Sequence, residues 1–247
     1  MKKAITISII GLSIGLFFQS FIMESSRSKD LEVHPILPTW RPLFNGKNLN
    51  EWKGYNQKGI PKGWAIENGI LELNPQKDSL GNMEGADLVT KQEFKNFELV
   101  LDWKISENGN SGIMFNVVED PKYGEPYLTG PEIQILDNEG HPDGKIPKHR
   151  AGDLYDLIAC SKESVKKVGE WNHVLLISNQ GHLQIYLNGN LSVETQMHDA
   201  NWDSLVTGSK FKSMAPDFAK SDHGKICLQN HGNKVSFKNI RVKVLPS

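Results

Sequence analysis

Glu132 and Gln134 stand two residues apart in Gly130-Pro131-Glu132-Ile133-Gln134-Ile135-Leu136-Asp137-Asn138. A Gly-Pro turn leading into alternating apolar residues predicts a strand. Successive strand side chains point to opposite sides, so Glu132 and Gln134 share one face while Ile133 and Ile135 take the other. The following loop carries His141 and Arg150 and closes in Gly152-Asp153-Leu154-Tyr155-Asp156-Leu157-Ile158. An acid and an amide on one face, followed by His, Arg and Asp, is an arrangement suited to a polar sugar pocket.

Each residue type suggests a role. Glu132, His141 and His231 are candidates for proton transfer, because a carboxylate or imidazole tuned toward neutral pKa can both take and return a proton. Arg150 could stabilise negative charge, or form a structural ion pair with Glu132. Gln134, Asp137, Tyr155, Asp156 and Gln229 are candidates for binding hydroxyl groups. Asp156 lies within an apolar run and requires a hydrogen-bond partner if buried, whereas Tyr155 between Leu154 and Leu157 reads as core or as sugar platform. His231 precedes Gly232, which lets the backbone approach another group closely. Glu132, Asp137, His141 and His231 would also suit a divalent cation such as Ca²⁺, Mn²⁺ or Zn²⁺. No compact His-x-x-x-His spacing accompanies them, and no cofactor is assigned.

Positioning these groups falls to short strands. In Glu98-Leu99-Val100-Leu101-Asp102-Trp103-Lys104-Ile105, the residues Leu99, Leu101, Trp103 and Ile105 share an apolar face. A turn over Asn108–Gly112 precedes a second strand over Ile113–Val118. His173–Ser178 and Leu183–Leu187 flank Asn179-Gln180-Gly181-His182 as a hairpin, and Asn188-Gly189-Asn190 turns into Leu191–Glu194. Lys225–Gln229 reads as a further strand. Val235–Phe237 and Ile240–Val244 change parity, which predicts a bulge near Lys238 and Asn239. Helical periodicity is scarce, with Ser204–Lys212 the best candidate. The fold class is therefore all-β, a two-sheet sandwich in one domain over residues 39–246. Trp103 belongs to its core, while Trp52, Trp64, Trp171 and Trp202 could pack or stack on sugars. Cys160 and Cys227 read as buried thiols, Cys227 packed within a strand, with one bridge between them as the alternative in an oxidising compartment.

Lys2 and Lys3 precede an apolar run from Ala4 to Phe18, followed by polar Glu24–Asp30. A short basic segment and a modest apolar stretch predict an export signal over residues 1–29, cleaved or retained, with 30–38 as an extended lead-in. Without a full-length apolar span, no stable membrane segment is expected, and the product is expected to be periplasmic or secreted. A hydrophobic share of 38% with 23% charged residues favours a folded core. The net charge of -1, with no basic block beyond the leader, argues against a nucleic-acid partner.

Six segments together resemble the 3-keto-disaccharide hydrolase family, whose fold is a concanavalin A-like jelly roll. They are Leu43-Phe44-Asn45-Gly46-Lys47-Asn48-Leu49 with Trp52; Trp64 through Asn68-Gly69-Ile70-Leu71; Asn110-Ser111-Gly112-Ile113; Gly130–Asp137 with His141 and Leu154-Tyr155-Asp156; Gly169-Glu170-Trp171-Asn172; and Leu228-Gln229-Asn230-His231-Gly232 leading to Phe237-Lys238-Asn239-Ile240. Asp153 stands where the resemblance leads one to expect a small residue, and Asn230 where it leads one to expect Asp. The resemblance implies cleavage of an oligosaccharide or glycoside oxidised at C3 by a separate dehydrogenase. It implies C2 proton abstraction, elimination of the C1 substituent and hydration. Two rival readings remain at this level: a laminarinase-like retaining glycosidase using Glu132 and Asp137, and a non-catalytic sugar-binding jelly roll.

Overall fold

The computed structural model describes residues 39–81 and 83–246. The predicted leader over residues 1–29 and the lead-in over 30–38 lie outside them. Two packed antiparallel sheets make up the body. Their strands are β1 (Arg41–Pro42), β2 (Trp52–Gly54), β3 (Trp64–Glu67), β4 (Ile70–Leu73), β5 (Gln76–Lys77), β6 (Met83–Glu84), β7 (Leu88–Thr90) and β8 (Phe97–Ile105). They continue with β9 (Asn110–Val117), β10 (Glu132–Leu136), β11 (Asn172–Asn179), β12 (His182–Leu187), β13 (Asn190–Gln196), β14 (Lys225–Leu228) and β15 (Val235–Val244). The larger sheet runs β13-β12-β11-β8-β15-β4-β3, with β1 on β15; the smaller runs β10-β9-β14-β7-β2, and β5 pairs with β6 apart from both.

Local chemistry sets the turns. β11 and β12 are joined by Gln180 and Gly181, and β12 and β13 by Asn188 and Gly189, all at positive φ. Two consecutive left-handed residues match the twist of a tight hairpin. The predicted C-terminal bulge occurs where the β15–β8 register shifts between Lys238 and Arg241, with Asn239 at φ 55°. The strand predicted to begin at Ile113 begins earlier, because Asn110 and Ser111 already pair with Leu136 and Ile135.

Leu99, Leu101, Trp103 and Ile105 of β8 enter one core with Ile133 and Ile135 of β10 and with Trp52, Trp64 and Trp202. Burial of these large side chains is the main stabilising term. Trp171 instead lies on the outer face under Lys238, whose ammonium is 4.0 Å from the ring centroid. Both cysteines are free thiols, Cys227 buried and Cys160 half-buried.

The predicted helix Ser204–Lys212 is replaced by two, α1 (Ala200–Thr207) and α2 (Phe211–Met214). Asp199 starts α1 by accepting the Trp202 N–H at 2.7 Å, a side-chain cap outside the predicted span. The chain breaks at Gly208, and α2 packs by stacking Phe211 on Phe218 at 3.8 Å between centroids. No described helix is long and apolar enough to cross a membrane.

Candidate active site

Register across the smaller sheet assembles the site. Glu132 pairs with Met114 and Gln134 with Gly112; Met114 pairs with Cys227, and the Gln229 N–H donates to the Gly112 carbonyl at 3.0 Å. Paired residues share a face. Glu132, Gln134 and Gln229 therefore project on the side away from the core. They line a cavity of about 290 Å³ together with Asn110, Tyr127, Tyr155, Lys210, Phe211, Met214 and His231.

Gly112 is a requirement of this geometry. A Cβ there would lie 1.8 Å from Oε1 of Glu132, so only glycine lets the carboxyl lie across β9. Glu132 is 6% exposed and has no hydrogen-bond or ion-pair partner among the described residues. Burial disfavours its charged form, and the Asp87 charge adds to the effect; against the lesser opposing pull of Lys210, its pKa is pushed up to about 8. The carboxyl is consequently poised to exchange a proton near neutral pH.

The amides beside it are equally unsatisfied. Both Oε1 and Nε2 of Gln134 are buried without a partner, as are Oδ1 of Asn110 and Oε1 of Gln229. An unmade buried hydrogen bond costs about 1–3 kcal/mol. Several around one cavity mark polar groups held ready for a ligand.

The loop after β10 closes the cavity by pairing with that strand's edge. Gln134 N–H donates to Asp153 O at 3.0 Å and Tyr155 N–H to Glu132 O at 2.9 Å, which seats Tyr155 beside Glu132. Lys210 Nζ donates to the Tyr155 hydroxyl at 2.8 Å and lies 4.2 Å from its ring centroid. The Tyr155 pKa is raised, first by burial and then by the charges of Asp143, Glu132 and Asp156, so the phenol keeps its proton. His231 is exposed at the mouth. Local desolvation and the neighbouring His141 lower its pKa, favouring neutral imidazole.

Other predicted residues do not line this cavity. The Asp137 carboxylate accepts the Asn108 N–H at 2.8 Å and the Gly140 N–H at 3.0 Å, building a turn outside the cavity that Glu132 lines. Arg150 reaches neither Glu132 nor the cavity; it forks onto Glu163 at 2.6 and 2.7 Å. Asp156 accepts from Lys210 N–H at 2.7 Å and meets His149 Nε2 at 3.1 Å, holding the start of α2 instead of lining the cavity. His141 does not line the cavity, and its Nδ1 accepts the Asp143 N–H at 3.2 Å. Asp153 accepts from Arg150 N–H and Cys160 N–H at 2.8 and 2.7 Å, which explains a buried acid at that loop position. Asn230 uses Oδ1 to accept Gly232 N–H at 3.1 Å. None of the tryptophans lines the cavity. Among the described residues, no three His, Cys, Asp or Glu side chains gather as a cation-binding group.

Sequence reasoning missed Asn110, Tyr127, Lys210, Phe211 and Met214. Asn110 was visible as the start of Asn110-Ser111-Gly112, but Lys210 carries no local signal and arrives through the packing of α2.

Residues 39–243 match the 3-keto-alpha-glucoside-1,2-lyase-like domain family. A 3-keto-disaccharide hydrolase of Bacteroides thetaiotaomicron is 35% identical over 224 residues, covering 82% of this chain and 77% of the relative. A crystal structure of a Parabacteroides distasonis protein proposed to be a glycosyl hydrolase superposes with TM-score 0.75 at 33% identity, over 84% of this chain and 94% of that one. The laminarinase catalytic domain of Thermotoga maritima, at 16% identity and TM-score 0.50 over 85% of this chain and 98% of that one, shares the jelly-roll fold. The chain belongs to the 3-keto-alpha-glucoside-1,2-lyase-like family and is a glycoside hydrolase-type enzyme.

Proposed function

We propose that this enzyme cleaves the glycosidic bond of a 3-keto-disaccharide or 3-keto-glycoside by elimination followed by hydration. The buried, unpartnered Glu132 carboxyl in a cavity lined by unsatisfied amides carries the reading. A C3 ketone acidifies the C2 hydrogen. Glu132 removes that proton, electron density moves onto the ketone oxygen, and the enolate re-forms the ketone as the C1–O bond breaks. The pair from that bond leaves on the aglycone oxygen, which takes up a proton. Water then adds at C1 while C2 regains a proton, giving the free 3-keto sugar.

The remaining side chains divide this labour. The Lys210 ammonium and the Tyr155 hydroxyl supply positive potential for the enolate oxygen, the part first assigned to Arg150. Neutral His231 at the mouth relays a proton between the aglycone oxygen and water. Gln134, Asn110 and Gln229 hold sugar hydroxyls. The reading implies a separate dehydrogenase that oxidises C3 beforehand, and it includes export through residues 1–29 to a periplasmic or secreted site of action.

The test offers the purified protein a plain glycoside and its C3-oxidised counterpart. Cleavage of the oxidised sugar alone is expected. Cleavage of the plain glycoside would point to ordinary glycosidase chemistry, and binding of either without turnover to a sugar-binding module.

A further inference from the structure

Asp87 lies outside the predicted motifs and outside the cavity lining, yet it is a buried carboxylate on the same sheet face. β7 and β14 pair through Leu88 and Leu228, so the preceding Asp87 stands opposite Gln229. Gln229 is in turn bonded to Gly112, and Gly112 pairs with Gln134. Asp87, Gln229, Gly112 and Gln134 form one row across the sheet. Glu132, one row away, lays its carboxyl over Gly112 and hence toward Asp87. Asp87 Oδ1 accepts the Asn230 N–H at 2.6 Å, and its carbonyl accepts from Tyr55 N–H at 2.9 Å. Asn230 is flanked by two cavity residues, Gln229 and His231.

We propose that Asp87 is a positioning residue for the site, anchoring the Gln229–His231 segment and setting the charge state of Glu132 across Gly112. This role rests on Glu132 being the proton acceptor proposed above. Two carboxyls buried on one sheet face disfavour each other's charged form. Burial pushes the Asp87 carboxyl up to about 7 against the Asn230 bond, and Asp87 is the charge that raises Glu132 after burial itself. Other groups facing Glu132 are Lys210 from the start of α2, Tyr155 from the loop after β10, and Cys227 from β14. Glu125 and Tyr127, from the segment before β10, face Asp87.

Two variants separate the anchor from the charge. Asp87→Asn keeps an oxygen for the Asn230 N–H but loses the charge, whereas Asp87→Ala loses both. Glu132 is followed by carbon-13 NMR in protein labelled at glutamate carboxyls, its signal assigned by loss in Glu132→Gln. In folded Asp87→Asn, the Glu132 midpoint should move to lower pH, and the rising limb of kcat/KM on a 3-keto-glycoside should move with it. Asp87→Ala should in addition perturb the His231 imidazole signals and raise KM several-fold. An unchanged Glu132 midpoint in folded Asp87→Asn overturns the proposal, as does a moved midpoint with an unmoved rate profile. If the midpoint moves but the parent protein turns over no 3-keto-glycoside at any pH, the keto-sugar function fails and this role for Asp87 fails with it, while the electrostatic coupling stands.

Discussion

The outward faces of the two sheets carry similar residue types in opposite conditions. On the larger sheet, exposed and half-buried polar groups pair with one another: Lys243 with Glu98 at 3.1 Å, His173 with Asp102 at 2.7 Å, Gln184 with Glu194 at 2.8 Å. β11 there alternates between buried and more exposed positions, the expected pattern for a sheet with one wet face. On the smaller sheet, β9, β10 and β14 are buried throughout, because loops and α2 cover the second face. Gln134, Asn110 and Gln229 are nonetheless left with unpartnered atoms, and Glu132 without a counter-ion. A face whose polar groups satisfy one another holds the fold. A face that buries them unsatisfied is destabilised unless a ligand arrives.

Breaking the second face should have the largest effect on activity. Glu132→Gln keeps shape and removes the proton acceptor, so turnover of a 3-keto-glycoside should fall about 10²- to 10⁴-fold in a folded protein. Unchanged turnover would make Glu132 structural. Gly112→Ala should come next. The added methyl must displace the carboxyl, and a shift of this kind can cost about 10²-fold; kcat should fall more than KM rises.

Gln134→Met should trade activity for stability. Removing an unsatisfied amide should stabilise the fold by about 1 kcal/mol while KM rises, measured by thermal unfolding beside steady-state kinetics. Glu132→Gln should show a related gain with a definite pH dependence. Between the ordinary carboxylate value of 4.5 and about 8 the folded state holds a proton the unfolded chain has released. Stability therefore falls as pH rises through that window and levels above it. The midpoint advantage of Glu132→Gln over the parent should grow from pH 5 to pH 8, and an advantage independent of pH would contradict the raised carboxyl. The smallest effect belongs to the larger sheet. Glu98→Gln should alter stability by no more than about 1 kcal/mol and leave turnover unchanged.

The sandwich was legible because its evidence is local. Alternation in Glu98–Ile105, the Gln180-Gly181 and Asn188-Gly189 turns, and the parity change before Ile240 each depend on neighbours a few residues apart. The helical segment was misplaced because its start depends on the Asp199 cap and its break on Gly208, while its apolar content is too small to mark either. Of the site, the shared face of Glu132 and Gln134 was legible for the same reason as the strands. The placement of Asp137, Arg150 and Asp156 outside the cavity lining was not. An Asp or Arg in a loop can be satisfied by a nearby N–H or carboxylate, and the chain's path decides whether it is.

By itself the sequence determined the strand pattern, the hairpins and an acid–amide pair on one face, since these follow from backbone sterics and a two-residue period. Only the tertiary structure decided which residues meet that pair. Cross-strand register placed Gly112 under the Glu132 carboxyl and Asp87 in the row beside it, and the packing of α2 delivered Lys210 to Tyr155. Those contacts join residues far apart in the chain, and the burial that raises the Glu132 pKa exists only once the second face of the sheet is covered.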